Sequence, residues 1–159
     1  MRNERLNLLL RKNAGRFKLK DYEQFFINLN LKDLEYIDLE QSDKVLDSIK
    51  QLFPIVKSDD EMIEGNATLK DSKLLFETFN SINENDLCYI FVDEVEICGM
   101  FKANTQSSLY KCLEAAKSTY QNTFFLTDCD FKFSFTINYY DEEDRYDKDK
   151  FDIQRRTRI

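Results

Sequence analysis

From Phe131 the chain reads FKFSFTINYY, and an apolar side chain falls on every second residue: Phe131, Phe133, Phe135, Ile137 and Tyr139. Lys132, Ser134, Thr136 and Asn138 take the alternate positions. A period of two belongs to an extended strand with one face on a core and the other toward solvent, the usual state of antiparallel sheet. Burying each Phe or Ile is worth about 1.5–3 kcal/mol. This stretch therefore demands partner strands and a helical cover, and the rest of the chain can be read for them.

LCYIFVDEVEICGMFKAN, from Leu87 to Asn104, reads as two strands about a tight turn at Asp93-Glu94. Apolar residues occupy both parities of its first flank, which predicts an interior strand covered on both faces. TFFLT (123–127) reads as a short buried strand, and DLEYIDLE (33–40) as another. SDDEMIEGNATLKD is read as a surface loop in which MIEGNATL could hide a strand. Helices are predicted from Ser42 to Pro54, from Asp71 or Ser72 through Ile82, and from Ser107 or Ser108 through Tyr120, the last with a stripe of Leu109, Cys112, Leu113, Ala116 and Tyr120. At the N-terminus, one short helix should end at Gly15 and a second open at the capping pair Asp21 and Gln24. The expected fold is α+β: a basic helical segment over residues 1–20, then a single domain over 21–159 whose helices pack on a mostly antiparallel sheet.

Charge is distributed unevenly. Residues 1–20 hold seven Lys/Arg against Glu4, and Arg155, Arg156 and Arg158 stand at the other end, so the net −7 leaves the stretch 21–154 at −16. An acidic body repels nucleic acid and attracts basic proteins. The densest run, DEEDRYDKD, places Asp141, Glu142, Glu143, Asp144, Asp147 and Asp149 around Arg145 and Lys148, with Tyr140 just before it and Tyr146 inside it. Carboxylates interleaved with tyrosine suit a surface that pairs with lysine and arginine and adds apolar contact area. Asp93, Glu94 and Glu96 form a second acidic patch. The basic ends read as solvated arms, or as arms that fold back on acidic neighbours. An adaptor or regulator using them on nucleic acid is a further reading.

The chain has no histidine, which removes His-dependent triads and dyads and the commonest general base near neutral pH. Three glycines leave no P-loop or dinucleotide fingerprint. Cys88, Cys98, Cys112 and Cys129 lack C-x-x-C spacing and read as buried free thiols, with Cys88–Cys98 as the alternative disulfide. One catalytic pattern remains, Asp130-Phe131-Lys132: a D-x-K on a strand is half of a metal-dependent nuclease site, in which carboxylates hold Mg²⁺ and the lysine polarises water. It lacks a convincing upstream partner, since Asp93 is 37 residues earlier. The expectation is a protein that is no enzyme, with no cofactor and no bound metal. No apolar run reaches the length of a bilayer span and no signal-peptide pattern opens the chain, so a cytoplasmic location without membrane or direct nucleic-acid contact is expected.

At YIFVDEVEICGMFKAN, followed by a helix, TFFLTDCDF and FSFTINYYDEED, the chain resembles bacterial immunity proteins of polymorphic and contact-dependent toxin systems (CdiI-type). The resemblance covers roughly residues 87–144 and lies in the hydrophobic strand with its acidic turn, the pair Cys98-Gly99, and the late aromatic strand ending in acids. It implies a protein that binds one cognate toxin domain, often a basic nuclease, and blocks its active site or substrate surface. It assigns no residue roles; the acids named above rest on charge alone.

Overall fold

A computed structural model describes residues 1–53, 61–91, 93–140 and 150–158. In chain order the elements are α1 (Arg2–Asn28), β1 (Glu35–Ile37), α2 (Leu39–Leu52), β2 (Glu61–Asn66), α3 (Lys73–Ser81), β3 (Leu87–Phe91), α4 (Val95–Cys98), β4 (Met100–Asn104), α5 (Thr105–Ser118), β5 (Thr123–Asp128), β6 (Phe133–Tyr140) and β7 (Lys150–Thr157). The strands form one antiparallel sheet in the order β1-β4-β3-β5-β6-β7-β2. The fold is thus a single α+β domain with its helices on a mostly antiparallel sheet.

The alternation in β6 sets the main core. Phe135 and Ile137 lie between Leu126 and Phe124 of β5 and, on the other side, Ile153 of β7, all fully or almost fully buried. Cys88 and Ile90 of β3 continue that face, and Leu109, Cys112, Ala115 and Ala116 of α5 close over it. Leu74 and Leu75 of α3 and Phe26 and Leu29 at the end of α1 complete the cover. The opposite face has a smaller cluster: Val45, Leu46 and Ile49 of α2 pack with Ile37, Met100, Tyr89 and Phe91. β3 is interior, yet Leu87, Tyr89 and Phe91 are only half-buried, so its second face is less covered than its apolar composition suggests.

Several boundaries differ from the sequence expectation, each for a local reason. Gly15 does not end a helix; α1 runs unbroken past it. A Cβ at Gly15 would sit 2.0 Å from the Ile97 carbonyl oxygen, so the glycine is there to admit the backbone of α4, and the basic segment is continuous with the helix that enters the core. Asp38, and not Ser42, caps α2 by accepting from Gln41 N at 2.9 Å, which lets Leu39 start the helix buried. Ser42 is instead fully buried, donating to Ile37 O and accepting from Met100 N, both at 3.0 Å, and so ties β1, α2 and β4 together. Asn104 displaces Ser107 and Ser108 as the cap of α5, accepting from Ser107 N while both serine hydroxyls donate to its carbonyl. The α2 helix ends at Leu52; Pro54 lies outside the described residues.

The tight turn at Asp93-Glu94 is replaced by the single turn of α4, entered through Glu94 at φ 63 and left through Gly99 at φ 80. Phe131 departs from its strand neighbours. The Asp128 carboxylate accepts from Lys132 N and Phe133 N, the chain turns with Phe131 at φ 55, and its ring stacks on Tyr89, on the other face of the sheet. MIEGNATL does hold a strand, the sheet-edge β2, and Arg155 and Arg156 are not on a solvated arm, whereas Arg158, past the end of β7, is exposed. β7 lies between β6 and β2, with Arg155 Nη1 donating to Thr78 Oγ1 at 2.9 Å and Arg156 Nη1 to Phe53 O at 3.2 Å.

Replacing Gly15 by Ala tests the close approach. Helix propensity alone favours Ala by about 1 kcal/mol, whereas overlap with a packed backbone costs about 1–3 kcal/mol. Gly15→Ala is expected to lower the thermal midpoint by a few degrees; a raised midpoint would show that α1 and α4 part without cost.

Candidate functional site

Strand direction brings several sequence-distant features to one end of the sheet. β3 runs toward Asp93 and Glu94, β5 begins after the turn Thr119–Asn122, and β6 and β7 meet there at the Tyr140–Lys150 pair. Tyr139 N donates to Asn122 O at 2.8 Å, which holds the α5–β5 turn against the end of β6. α1 crosses the same end. Its Lys18 donates to the Glu94 carboxylate, and its Tyr22 and Phe25 pack against the main core.

Between these segments lies a groove of about 490 Å³, lined by Lys18, Asp21, Tyr22 and Phe25 of α1, by Asp93 and Glu94, and by Ser118, Thr119, Tyr120 and Gln121. Its walls are mostly apolar and its rim carries three carboxylates against one ammonium. Asp93 is fixed, since its Oδ2 accepts from Gln121 N at 3.0 Å and so joins the end of β3 to the start of β5. Glu94 is held by Lys18, whose pKa is raised by that contact. Asp21 is exposed. The Tyr22 hydroxyl is kept protonated well above its ordinary range, first by burial and then by the charges of Glu94 and Asp93. Tyr120, expected on the buried stripe of α5, stands beyond the helix end at 97% exposure.

Among the described residues, the acids expected to bind a partner fall in two places. Asp93 and Glu94 face the groove. Glu96 is exposed on the next turn, where its carbonyl accepts from Arg11 Nε at 2.7 Å and its charge supports the guanidinium. Asp141, Glu142, Glu143, Asp144, Tyr146 and Asp147 lie outside the described residues. Tyr140 is about half exposed and its hydroxyl is hydrogen-bonded to Asp152, which raises its pKa. Asp21, Tyr22 and Phe25 were missed as site residues because their spacing on α1 also fits an ordinary buried helix face.

No family model matches this chain, and neither a curated protein nor a solved structure is significantly similar to it.

The D-x-K residues sit at the other end of the sheet. Asp130 and Lys132 are both well exposed, on the β5–β6 turn and not on a strand, and their charges are 3.7 Å apart. Cys88 pairs with Asp128 near this end, whereas Asp93 lies past the far end of β3, held to Gln121 just before β5, so Asp130 and Asp93 are at opposite ends of the sheet. All four cysteines are free thiols. Burial pushes Cys88 and Cys112 up to about 12 and Cys98 and Cys129 up to about 11, so each stays a thiol at neutral pH. For Cys129, the neighbouring Asp128 and Asp130 add to that burial while Lys102 opposes it.

Asp128 itself is raised from the usual carboxylate range by burial, against the two backbone N–H groups that it accepts from. A raised folded-state value means that its contribution to stability is full below the unfolded carboxylate pKa and is lost as pH rises through the folded one. Asp128→Asn keeps an acceptor without the charge. Urea unfolding should find it as stable as the native protein or more so at pH 7, with the difference closing near pH 3.5. Asp128→Ala, which removes the acceptor, should cost about 1–2 kcal/mol at both.

Proposed function

We propose that this chain is a non-catalytic protein-binding domain, an immunity-type inhibitor that covers a basic surface of a cognate toxin domain. The observation that carries the reading is the groove. Three segments far apart in sequence bring Asp21, Asp93 and Glu94 to the rim of a pocket walled by Tyr22, Phe25 and Tyr120.

A lysine or arginine of a partner is the side chain that such a pocket fits. Its aliphatic stem lies along aromatic surface while its cationic head meets carboxylates. Asp93 is already fixed by Gln121 N, so little ordering is lost on binding. Tyr120 costs little to immobilise and offers large contact area. The net −7 of the whole chain adds steering of a cationic partner at long range. A cytoplasmic site of action, and a nuclease as the toxin, follow from the resemblance over residues 87–144. A regulator that grips nucleic acid with both basic ends is the weaker reading, since Arg155 and Arg156 are engaged in β7.

The test is direct. The product of the neighbouring gene is expressed alone and with this protein; rescue of growth and co-purification are expected. Asp21→Lys with Tyr120→Ala changes two exposed side chains and should leave the melting temperature unchanged. It should weaken binding by tenfold or more, chiefly through slower association at low salt. Undiminished binding would remove the groove as the site; failure of any partner protein to bind the native chain would remove the function.

A further inference from the structure

The outward face of α1 is not used by the groove. Leu6, Leu9, Leu10 and Phe17 are 55%, 55%, 61% and 80% exposed, on a helix whose other side is firmly held. Arg11 makes a bidentate pair with Asp43 at 2.7 and 2.8 Å, Gly15 rests on Ile97, and Lys18 grips Glu94. At 100° per residue the four apolar side chains fall within an arc of roughly 100° opposite that seam. Lys12, Arg5 and Arg16 occupy the adjoining arc, Arg2 and Lys20 fall at the near edge of the apolar arc itself, and none of the five has an ion-pair partner among the described residues. Glu4 is the one acid in residues 1–20.

We propose that this face of α1 rests on an anionic phospholipid surface, with Leu6, Leu9, Leu10 and Phe17 inserted among the acyl chains and the five cations at the headgroups. The chemistry of the face selects the occupant. Leucine and phenylalanine beside long cationic side chains that can extend back to the phosphates is the composition of a helix lying in a membrane interface. A second copy packed antiparallel along the stripe would set the two cationic flanks against each other. Nucleic acid satisfies the cations but leaves the leucines without a partner.

This differs from the expectation of no membrane contact, which rested on the lack of a spanning segment. No helix among the described residues is long and apolar enough to cross a bilayer. Lying on one needs only a stripe. Glu40 and Asp43 of α2 line a hollow with Arg2, Arg5, Leu6 and Leu9, where Asp43 is paired with Arg11; acids further than about 8–10 Å from the surface are screened at physiological salt. The inference is independent of the groove, whose residues lie elsewhere on the helix.

Co-sedimentation of the full chain with vesicles tests it. Phosphatidylcholine vesicles containing 30% phosphatidylglycerol should pull the protein down at about 0.1 M salt, whereas pure phosphatidylcholine should not. Each cation near the surface is worth roughly fivefold in partitioning, so Arg5→Glu with Lys12→Glu and Arg16→Glu should reduce binding by about a hundredfold or more. Leu10→Glu with Phe17→Glu should abolish it. All five positions are exposed, so circular dichroism and melting temperature should be unchanged. Native protein left in the supernatant with anionic vesicles overturns the proposal, as does pull-down that survives both sets of changes. A dimer or a nucleic-acid band shift that is lost with the stripe variants, without vesicle binding, overturns it in favour of that partner.

Discussion

A continuous apolar row crosses the sheet beneath α5, and the other features of the molecule are placed by it. Ile90, Leu126, Phe135 and Ile137, with Ile153 beyond them, are fully buried and come from four strands whose register is fixed by period-two alternation. A slip of one residue would turn every one of these side chains to the opposite face. With the register fixed, the ends of the strands are fixed as well, and so is what emerges from them. Asp93 and Glu94 leave β3 at the end where β5 begins, and the β5–β6 turn with Asp128 closes the other end. The groove and the turn are consequences of where those strands stop.

Much of the architecture could be read from side-chain periodicity. The alternation of FKFSFTINYY, the paired apolar runs around Asp93 and the caps near Ser72 point directly at β6, β3, β4 and α3. What escaped the reading depends on contacts distant in sequence. Gly15 has the composition of a helix end, and only the approach of Ile97 shows why it is internal. Ser42 and Asp38 are both good caps, and burial of Leu39 decides between them. β7 carries Lys150, Arg155 and Arg156 and lacks the hydrophobic density of β6, so its sequence gives no strand signal; burial of Phe151 and Ile153 makes it a core strand.

The site was legible in part, and by charge more than by pattern. Asp93 and Glu94 stood out as an acidic turn, and the structure gives them a groove. Asp21 and Phe25 gave no signal, because a pocket between a helix and a distant turn has no spacing of its own in a sequence. Tyr120 misled: a helical stripe that continues to the last residue assumes that the helix does too, and α5 stops at Ser118. The absence of histidine set limits on the chemistry available without identifying a partner.

The position of β7 governs how the molecule is assembled. Among the described residues, β2 (61–66) has a single neighbour in the sheet, residues 150–155. Such a pairing closes a loop of more than half the chain, an entropic cost met late in any folding sequence. On the ribosome, β2 would wait as an unpaired ribbon until the chain had been made as far as Arg155. During that wait the nascent chain is exposed to mispairing, and β7 acts as the latch that ends it.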